Sequence, residues 1–328
     1  MTGRTSRRFL LCVILLTMKK RANQTLRKSV IAVVCLTASV IAATMLTAGC
    51  ASTTRAATTR APAPRAVNER IGRADSVSRI REIELFDPAI TADLDGLRVA
   101  FVSDIHFRNN FSRERLDRLV AEINAQKPDC VIIGGDNTLG PANIEEFADA
   151  VAAFRAPQGV YAVIGNHDFF NGRRKSIETL RNAGIVVLDE TTIETPRGLV
   201  ISGINDLRDV FPPMQYFRET IPKKGFAILV SHNPDFVENV SSADLSRFGL
   251  VLSGHTHGGQ ITFFGYAPVI PSAYGQRYRT GTVYKEAVPV VISNGAGFGG
   301  MLLRFRFCAP SDFLLITLRA LEMDKDSK

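Results

Sequence analysis

From Leu97 onward the chain alternates between two patterns. Short unbroken apolar runs, Leu97–Val102, Cys130–Ile133 and Val160–Ile164, have the length and texture of strands buried on both faces. Each is followed by a stretch whose apolar positions recur at helical spacing: 112–126, 143–154 and 174–183. This strand–helix alternation predicts an α/β domain with a largely parallel sheet. Further runs follow at shorter intervals, Ile185–Leu188, Leu199–Ile204, Ala227–Val230, Leu250–Leu252, Val288–Ile292 and Phe313–Leu318, and suggest a second sheet. The chain shows no internal repeat.

The first 78 residues read differently. Basic residues at Lys19–Arg21 and Arg27–Lys28 precede an uncharged, mostly apolar stretch from Val30 to Ala48, which ends Ala48-Gly49-Cys50. A basic segment, an apolar segment and small residues before a cysteine have the form of a secretory leader with Cys50 as a lipidation site. Residues 51–75 are rich in Ala, Thr, Arg and Pro without periodicity, which reads as a flexible tether. The expected division is a leader at 1–49, a tether at 50–78 and a folded domain at 79–328. An uncleaved membrane helix is the rival for the apolar stretch, and Met18 is a rival start for the chain. The expected location is the cell envelope, membrane-anchored and extracytoplasmic, at the outer membrane in a two-membrane bacterium.

Charge changes meaning once it is split along the chain. Eight basic residues and no acids precede Cys50, and the remaining 32 basic residues balance 32 acidic ones. The basic excess belongs to the leader, so no nucleic-acid partner is expected. Cys130 and Cys308 lie in strand-like runs where a cysteine is ordinarily a small buried hydrophobe, and their spacing leaves a disulfide open.

The chemistry lies at the ends of the apolar runs. All five histidines occur in short motifs after such runs: Asp104-Ile105-His106, Asn166-His167-Asp168, His232-Asn233 and His255-Thr256-His257. Gly135-Asp136 follows another run in the same way. Ligands of open α/β sheets bind outside the carboxyl ends of the strands, so five polar motifs at five such ends are expected to converge. In extended backbone, residues two apart project to one side, so Asp104/His106 and His255/His257 are each read as addressing one site. Imidazole and carboxylate donors without thiolate suit Mn, Fe or Zn.

The order D-x-H, G-D, G-N-H-D, S-H, G-H-x-H resembles the calcineurin-like metallophosphoesterases. Ser253–Gln260, Tyr274–Tyr278 and the glycine-rich stretch after Val291 are similar to a bacterial membrane-associated branch of YkuE- and YaeI-type phosphodiesterases and a UDP-2,3-diacylglucosamine hydrolase. The resemblance runs from about Leu97 to Leu318. It implies a four-layer α/β/β/α sandwich of two mixed sheets with helices outside. It further implies two divalent ions, the first held by Asp104, His106 and His257, the second by Asn166, His232 and His255, with Asp136 bridging. His167 would be the catalytic histidine, donating a proton or hydrogen bond to the phosphoryl or leaving-group oxygen. The implied function is phosphoester hydrolysis, with phosphodiesters as the substrate class, by an activated hydroxide between two ions.

One departure stands out. Many members read G-D-x-x-D, and the second carboxylate supports the catalytic histidine; here that position is Leu139. Asp168 or Asn137 are the candidates to take its place. Arg277 and Arg279 are candidate grips for a second phosphate or headgroup, with solvated loop arginines as the alternative. Phe169-Phe170 and Phe263-Phe264 beside the motifs would either line an apolar substrate channel or pack in the core. Gly295–Gly300 fits G-x-G-x-x-G only formally, because too little chain follows for a dinucleotide-binding unit. Two rivals accompany the reading: a metal-binding envelope lipoprotein of the same fold with weak or lost catalysis, and a UDP-2,3-diacylglucosamine-type pyrophosphatase if the domain faces the cytosol. The expected partners are a phosphoester substrate, lipid-linked ones among them, and a membrane through the N-terminal anchor.

Overall fold

The computed structural model describes residues 65–71, 77–108, 111–139, 141–170, 172–204, 218–221, 225–299 and 305–321. The leader, Cys50 and most of the tether lie outside them. No helix among the described residues is long and apolar enough to cross a membrane.

The first half builds one sheet. Strands β1 (Ala66–Ile71), β2 (Arg79–Asp87) and β3 (Arg98–Val102) lead into helix α1 (Arg113–Ala125), β4 (Cys130–Ile133), α2 (Ile144–Val151) and β5 (Val160–Ala162). Helices α3 (Asn166–Phe170) and α4 (Arg173–Asn182) then return the chain to β6 (Val186–Val187). Strands β3, β4, β5 and β6 are successive parallel neighbours, as expected when each crossover is a helix. Helix α1 starts where the Ser112 hydroxyl accepts from Arg115 N at 3.3 Å and buries Leu116, Leu119, Val120 and Ile123 along one stripe.

The second half builds another sheet from β7 (Thr191–Glu194), β8 (Val200–Ile204), β9 (Ala227–Ser231), β10 (Leu250–Ser253), β11 (Gly281–Lys285) and β12 (Val288–Ile292), with the short helix α5 (Ser242–Leu245) before β10. Its order is β11-β12-β10-β9-β8-β7, with β7 and β11 antiparallel at the edges. The last strand, β13 (Asp312–Ala320), returns to the first sheet between β2 and β3, parallel to one and antiparallel to the other. Both sheets are therefore mixed.

Alternation along each strand makes the layers. In β3, Ala100 and Val102 pack with α1 and α2, while Val99 and Phe101 face the other sheet; in β4, Val131 and Ile133 oppose Cys130 and Ile132 in the same way. Across the gap, Ile201, Ile228, Val230, Leu250, Leu252 and Val291 close the middle core, and Leu229, Val251 and Val290 face a third cluster with Val237, Leu245, Phe248 and Tyr278. Burial on both faces is why the strands read as unbroken apolar runs. The architecture is the expected α/β sandwich of two mixed sheets, with one qualification. Regular helices cover the first sheet, whereas the described cover of the second is helical turns such as 234–239 and the four-residue α5.

Three expectations need correction. Strand β1 lies inside the stretch read as tether; it pairs with β2 from Ala66↔Phe86 to Ile71↔Arg81, tied down by Arg65 to Asp87 at 2.7 Å and Glu69 to Arg81. Its residues are mostly exposed, so no apolar pattern marked it. The runs at Ile185–Leu188 and Phe313–Leu318, grouped with the second sheet, belong to the first, because spacing along the chain does not decide which neighbour a strand pairs with. Cys308 is exposed, and Cys130 and Cys308 are both free thiols.

Candidate metal centre

The parallel strands of both sheets end at one edge. Asp104 and His106 follow β3, Asp136 follows β4, and Asn166 opens α3 after β5. His232 follows β9, and His255 and His257 follow β10. Backbone hydrogen bonds stitch these turns together within and between sheets: Asp104 N donates to Gly135 O at 2.9 Å, His106 N to Asp136 O at 3.0 Å, and Gly254 N to His232 O at 3.0 Å. The Asp104 carboxylate accepts from His255 N at 3.0 and 3.1 Å. The turn after β12 crosses onto the β3 turn through Gly297 N to Asp104 O at 2.8 Å, which is what the glycine-rich stretch does.

The same-side argument for residues two apart fails in its premise. Asp104, His106, Asp136, His255 and His257 all have positive φ, between 47° and 66°, so none is extended. Strain of this kind costs on the order of 1–3 kcal/mol per residue and is tolerated where the surroundings hold it. After β3, β4 and β10 the donors converge by left-handed turns, while Asn166 opens helix α3 and His232 directly follows β9. Two glycines allow the close approach: a Cβ at Gly165 would lie 2.2 Å from Asp136 Oδ1, and one at Gly254 would lie 2.3 Å from Asp104 Oδ2.

Side-chain atoms meet in two groups, Asp104/His106/His257 and Asp136/His232/His255, with His167 joining His106 and Asp136 in a third. His106 Nε2 faces His257 Nε2 at 3.2 Å and Asp136 Oδ2 at 3.5 Å. His257 Nε2 is 3.4 Å from Asp104 Oδ1, and His232 Nε2 is 3.4 Å from Asp136 Oδ2. His232 Nδ1 lies 2.7 Å from Gly134 O, so it carries the proton and leaves the Nε2 lone pair toward Asp136. Asn166 is buried beside Gly165, one residue before His167, whose backbone N–H donates to Asp136 Oδ1 at 2.9 Å.

Electrostatics keep these groups in donor form. Burial lowers His106 to about 4 against the pull of Asp136, with His167 and His232 adding to the drop. Burial, then His106 and Arg306, holds His257 well below the ordinary histidine range. For Asp136 burial works upward, but His232, His106 and His167 outweigh it and keep the carboxyl well below its ordinary range. Asp104 is raised to about 6 by burial, opposed by His232. Neutral imidazoles and an ionised carboxylate are the forms a divalent cation takes up. Grouped imidazole and carboxylate donors without thiolate suit divalent metal binding.

His167 is the outlier. Its side chain is 34% exposed, against 0% for His106 and His232, and its ring stands edge-on to His106 at 4.8 Å between centroids. Asp168 does not take over from Leu139 as its support. The Asp168 carboxylate accepts from Asn137 N and Nδ2 at 3.0 Å each, Thr138 N at 3.3 Å and Gly165 N at 3.2 Å. It pins the β4 turn to the β5 turn, and burial and Asp136 raise it to about 7. Asn137 Nδ2 is committed to that same carboxylate.

Arg277 and Arg279 divide. Arg277 pairs with Glu238 at 3.1 Å, away from the donors. Arg279 Nη1 donates to Gly258 O at 3.3 Å and so borders the metal loop. Arg306 was missed. It is half-buried and donates to the carbonyls of His257 at 2.9 Å, Asn294 at 2.6 Å and Gly297 at 2.6 Å, with Nη2 3.3 Å from His257 Nδ1. One signal for it existed: a basic residue between two phenylalanines, Phe305 and Phe307. Phe307 makes a β-bridge to Ile261.

Residues 97–259 match the family model described as calcineurin-like phosphoesterase. The chain is 29% identical over 233 residues to an uncharacterised metallophosphoesterase of Aquifex aeolicus, covering 68% of this chain and 85% of the relative. It is 27% identical over 234 residues to the uncharacterised metallophosphoesterase YkuE of Bacillus subtilis, covering 69% and 80%. It is 31% identical over 218 residues to the uncharacterised protein YpbG of the same organism, covering 63% and 76%.

Proposed function

Because this chain belongs to the calcineurin-like metallophosphoesterase family, we propose that it hydrolyses phosphodiesters at a dinuclear metal centre. The observation that carries the reading is the double group of donors, Asp104/His106/His257 and Asp136/His232/His255, with Asn166 completing the second and Asp136 between the two. Two divalent ions bound there would supply an activated water and a positive clamp for phosphoryl oxygens.

The chain's own residues do the rest. Asp136 lies within 3.5 Å of both His106 Nε2 and His232 Nε2, the position for a carboxylate shared between two sites. Arg306 fixes the His257 carbonyl and the turns after β10 and β12, so that donors from different strands keep their spacing. His167, at the rim, is placed to hold or pass a proton at its imidazole to an incoming ester oxygen. With Leu139 half-buried where a supporting carboxylate is usual, this proton transfer is weaker than in relatives that carry one. The basic and apolar leader and Ala48-Gly49-Cys50 support an envelope protein lipidated at Cys50. An extracytoplasmic phosphodiester, lipid-linked ones included, is then the substrate class.

The test is turnover of an aryl phosphodiester by the purified chain with added Mn²⁺, alongside elemental analysis. Activity that depends on Mn²⁺ with two ions per chain is expected. Two bound ions without turnover would instead favour the metal-binding lipoprotein reading, to which Leu139 points. Fatty-acid labelling of the wild type but not of Cys50→Ser tests the anchor; equal labelling defeats it.

A further inference from the structure

Immediately after the metal loop the chain runs from Gly258 to Gln276, 19 residues, without a single charged side chain. Within it Phe263 and Tyr266 close a two-residue turn, with Phe263 N to Tyr266 O at 2.8 Å and Tyr266 N to Phe263 O at 2.9 Å. Phe264 and Gly265 at its tip have φ of 50° and 83°, the positive values that a type I′ hairpin turn requires. Such a tip ordinarily carries Asn, Asp or Gly. Here it holds a phenylalanine in a strained backbone, and the residue is fully exposed at 106%. Tyr266, Val269, Phe305 and Phe307 are also exposed around it, and Phe263 packs on Phe307 at 5.5 Å between rings.

This projection is joined to the metal centre. Phe307 N donates to Gln260 O at 2.9 Å, and Gln260 Oε1 accepts from Gly299 N at 2.8 Å. A Cβ on Gly299 would lie 2.4 Å from His257 Nε2. Next to it, Phe298 lies under Arg115 at 5.6 Å, and Arg115 lines a pocket with Arg108 and Arg118. The neighbourhood of the centre thus carries an uncharged aromatic tip and a basic pocket.

We propose that the Phe263–Tyr266 hairpin inserts into the interfacial layer of a lipid bilayer, seating the metal centre over phosphoesters at the membrane surface. A single protruding ring on a narrow turn fits the loose headgroup and acyl boundary, where aromatic side chains are favoured; a protein partner would call for a broad complementary face. Arg108 in that pocket is paired with Glu146, and Arg115 and Arg118 beside it suit anionic headgroups. The bilayer is within reach on the proposed anchoring at Cys50, on which this inference rests: only 14 residues lie between Cys50 and Arg65, at most about 50 Å of extended chain.

The chain contains no tryptophan, so Phe264→Trp places one reporter at the tip, and Val186→Trp on the edge strand β6 places another away from it. The full chain, isolated from membranes, is reconstituted into phosphatidylethanolamine/phosphatidylglycerol vesicles with brominated acyl chains, which quench only inserted tryptophan. Flotation of both variants is expected, with Phe264→Trp losing roughly half its emission, as a residue buried at the acyl boundary would, and Val186→Trp losing none. Flotation without quenching of Phe264→Trp overturns the insertion and leaves the anchor intact. Failure to float overturns both. Emission of Phe264→Trp that shifts to the blue with protein concentration, without vesicles, assigns the tip to a second copy of the chain and also overturns the proposal.

Discussion

Among the described residues, buried charge around Arg81 and buried charge at the metal edge differ in one respect. Around Arg81, Glu69 accepts at 2.7 and 3.1 Å, Asp312 accepts at 3.1 Å and the Ile292 carbonyl at 2.8 Å. Asp312 in turn accepts from Ser293 Oγ at 2.6 Å and Asn294 N at 2.8 Å. Burial opposes the charge on Arg81, but Asp312 and Glu69 raise its pKa above the ordinary value. Donors and acceptors match, and the cluster is closed. At the metal edge, His106 Nε2 faces His257 Nε2, and the Asp136 carboxylate points at the His232 Nε2 lone pair. That cluster closes only around cations. Burial of charge is common to both; the balance of donors and acceptors separates a structural network from a metal site.

The largest expected effect breaks the open cluster at its shared carboxylate. Asp136→Asn should lower kcat on an aryl phosphodiester by at least ~10³-fold, about 4 kcal/mol of lost transition-state stabilisation. The folded domain should survive it, seen as cooperative urea unfolding of the metal-free protein. A variant with two ions and full activity would remove Asp136 from the site. His257→Ala should in the same assay leave one ion rather than two.

Arg81→Leu makes the opposite cut. It should cost about 3–5 kcal/mol of stability, because two carboxylates lose their buried cation, while any protein that folds keeps its metal content. Urea midpoints with elemental analysis decide it, and a loss of metal without a loss of stability would erase the contrast between the clusters.

His167→Gln sharpens the rim against the interior. If His167 passes a proton, an alkyl ester with a poor leaving group should lose about 10²-fold in kcat and an aryl ester far less. Equal losses would assign His167 to phosphate orientation.

The smallest effect concerns an ordinary surface pair. Arg218 holds the Asp244 carboxyl down to about 2, aided by Ser241. A depressed folded value means stability present above the unfolded value near 3.8 and lost as pH falls from there toward 2. Arg218 is 56% exposed, so after solvent screening Asp244→Asn should cost about 1 kcal/mol at neutral pH. The gap to wild type should close as pH drops toward 2 in thermal melts.

Much of the fold was legible because its signals are local. Cys130–Ile133 and Val288–Ile292 were read to the residue, since strands buried on both faces leave no polar interruption. Helix α1 followed from Ser112 and the spacing of Leu116, Leu119, Val120 and Ile123. The exposed edge strands β1, β7 and β11 escaped, because a half-solvated edge needs no apolar run. Arg306 escaped for a different reason: its partners are carbonyls of His257, Asn294 and Gly297, which no side-chain pattern encodes.

The sequence by itself determined the strand–helix order and the identity of the donors, and it put each donor motif just past a strand. Those properties depend on neighbours a few residues apart. Only the tertiary structure decided that β13 and β6 join the first sheet, that Asp104, His106, Asp136, His255 and His257 sit in left-handed turns, and that His255 N reaches Asp104 across 151 positions of chain. Each of these is a contact between segments far apart in sequence, selected by packing two sheets against one core, and no local pattern carries that choice.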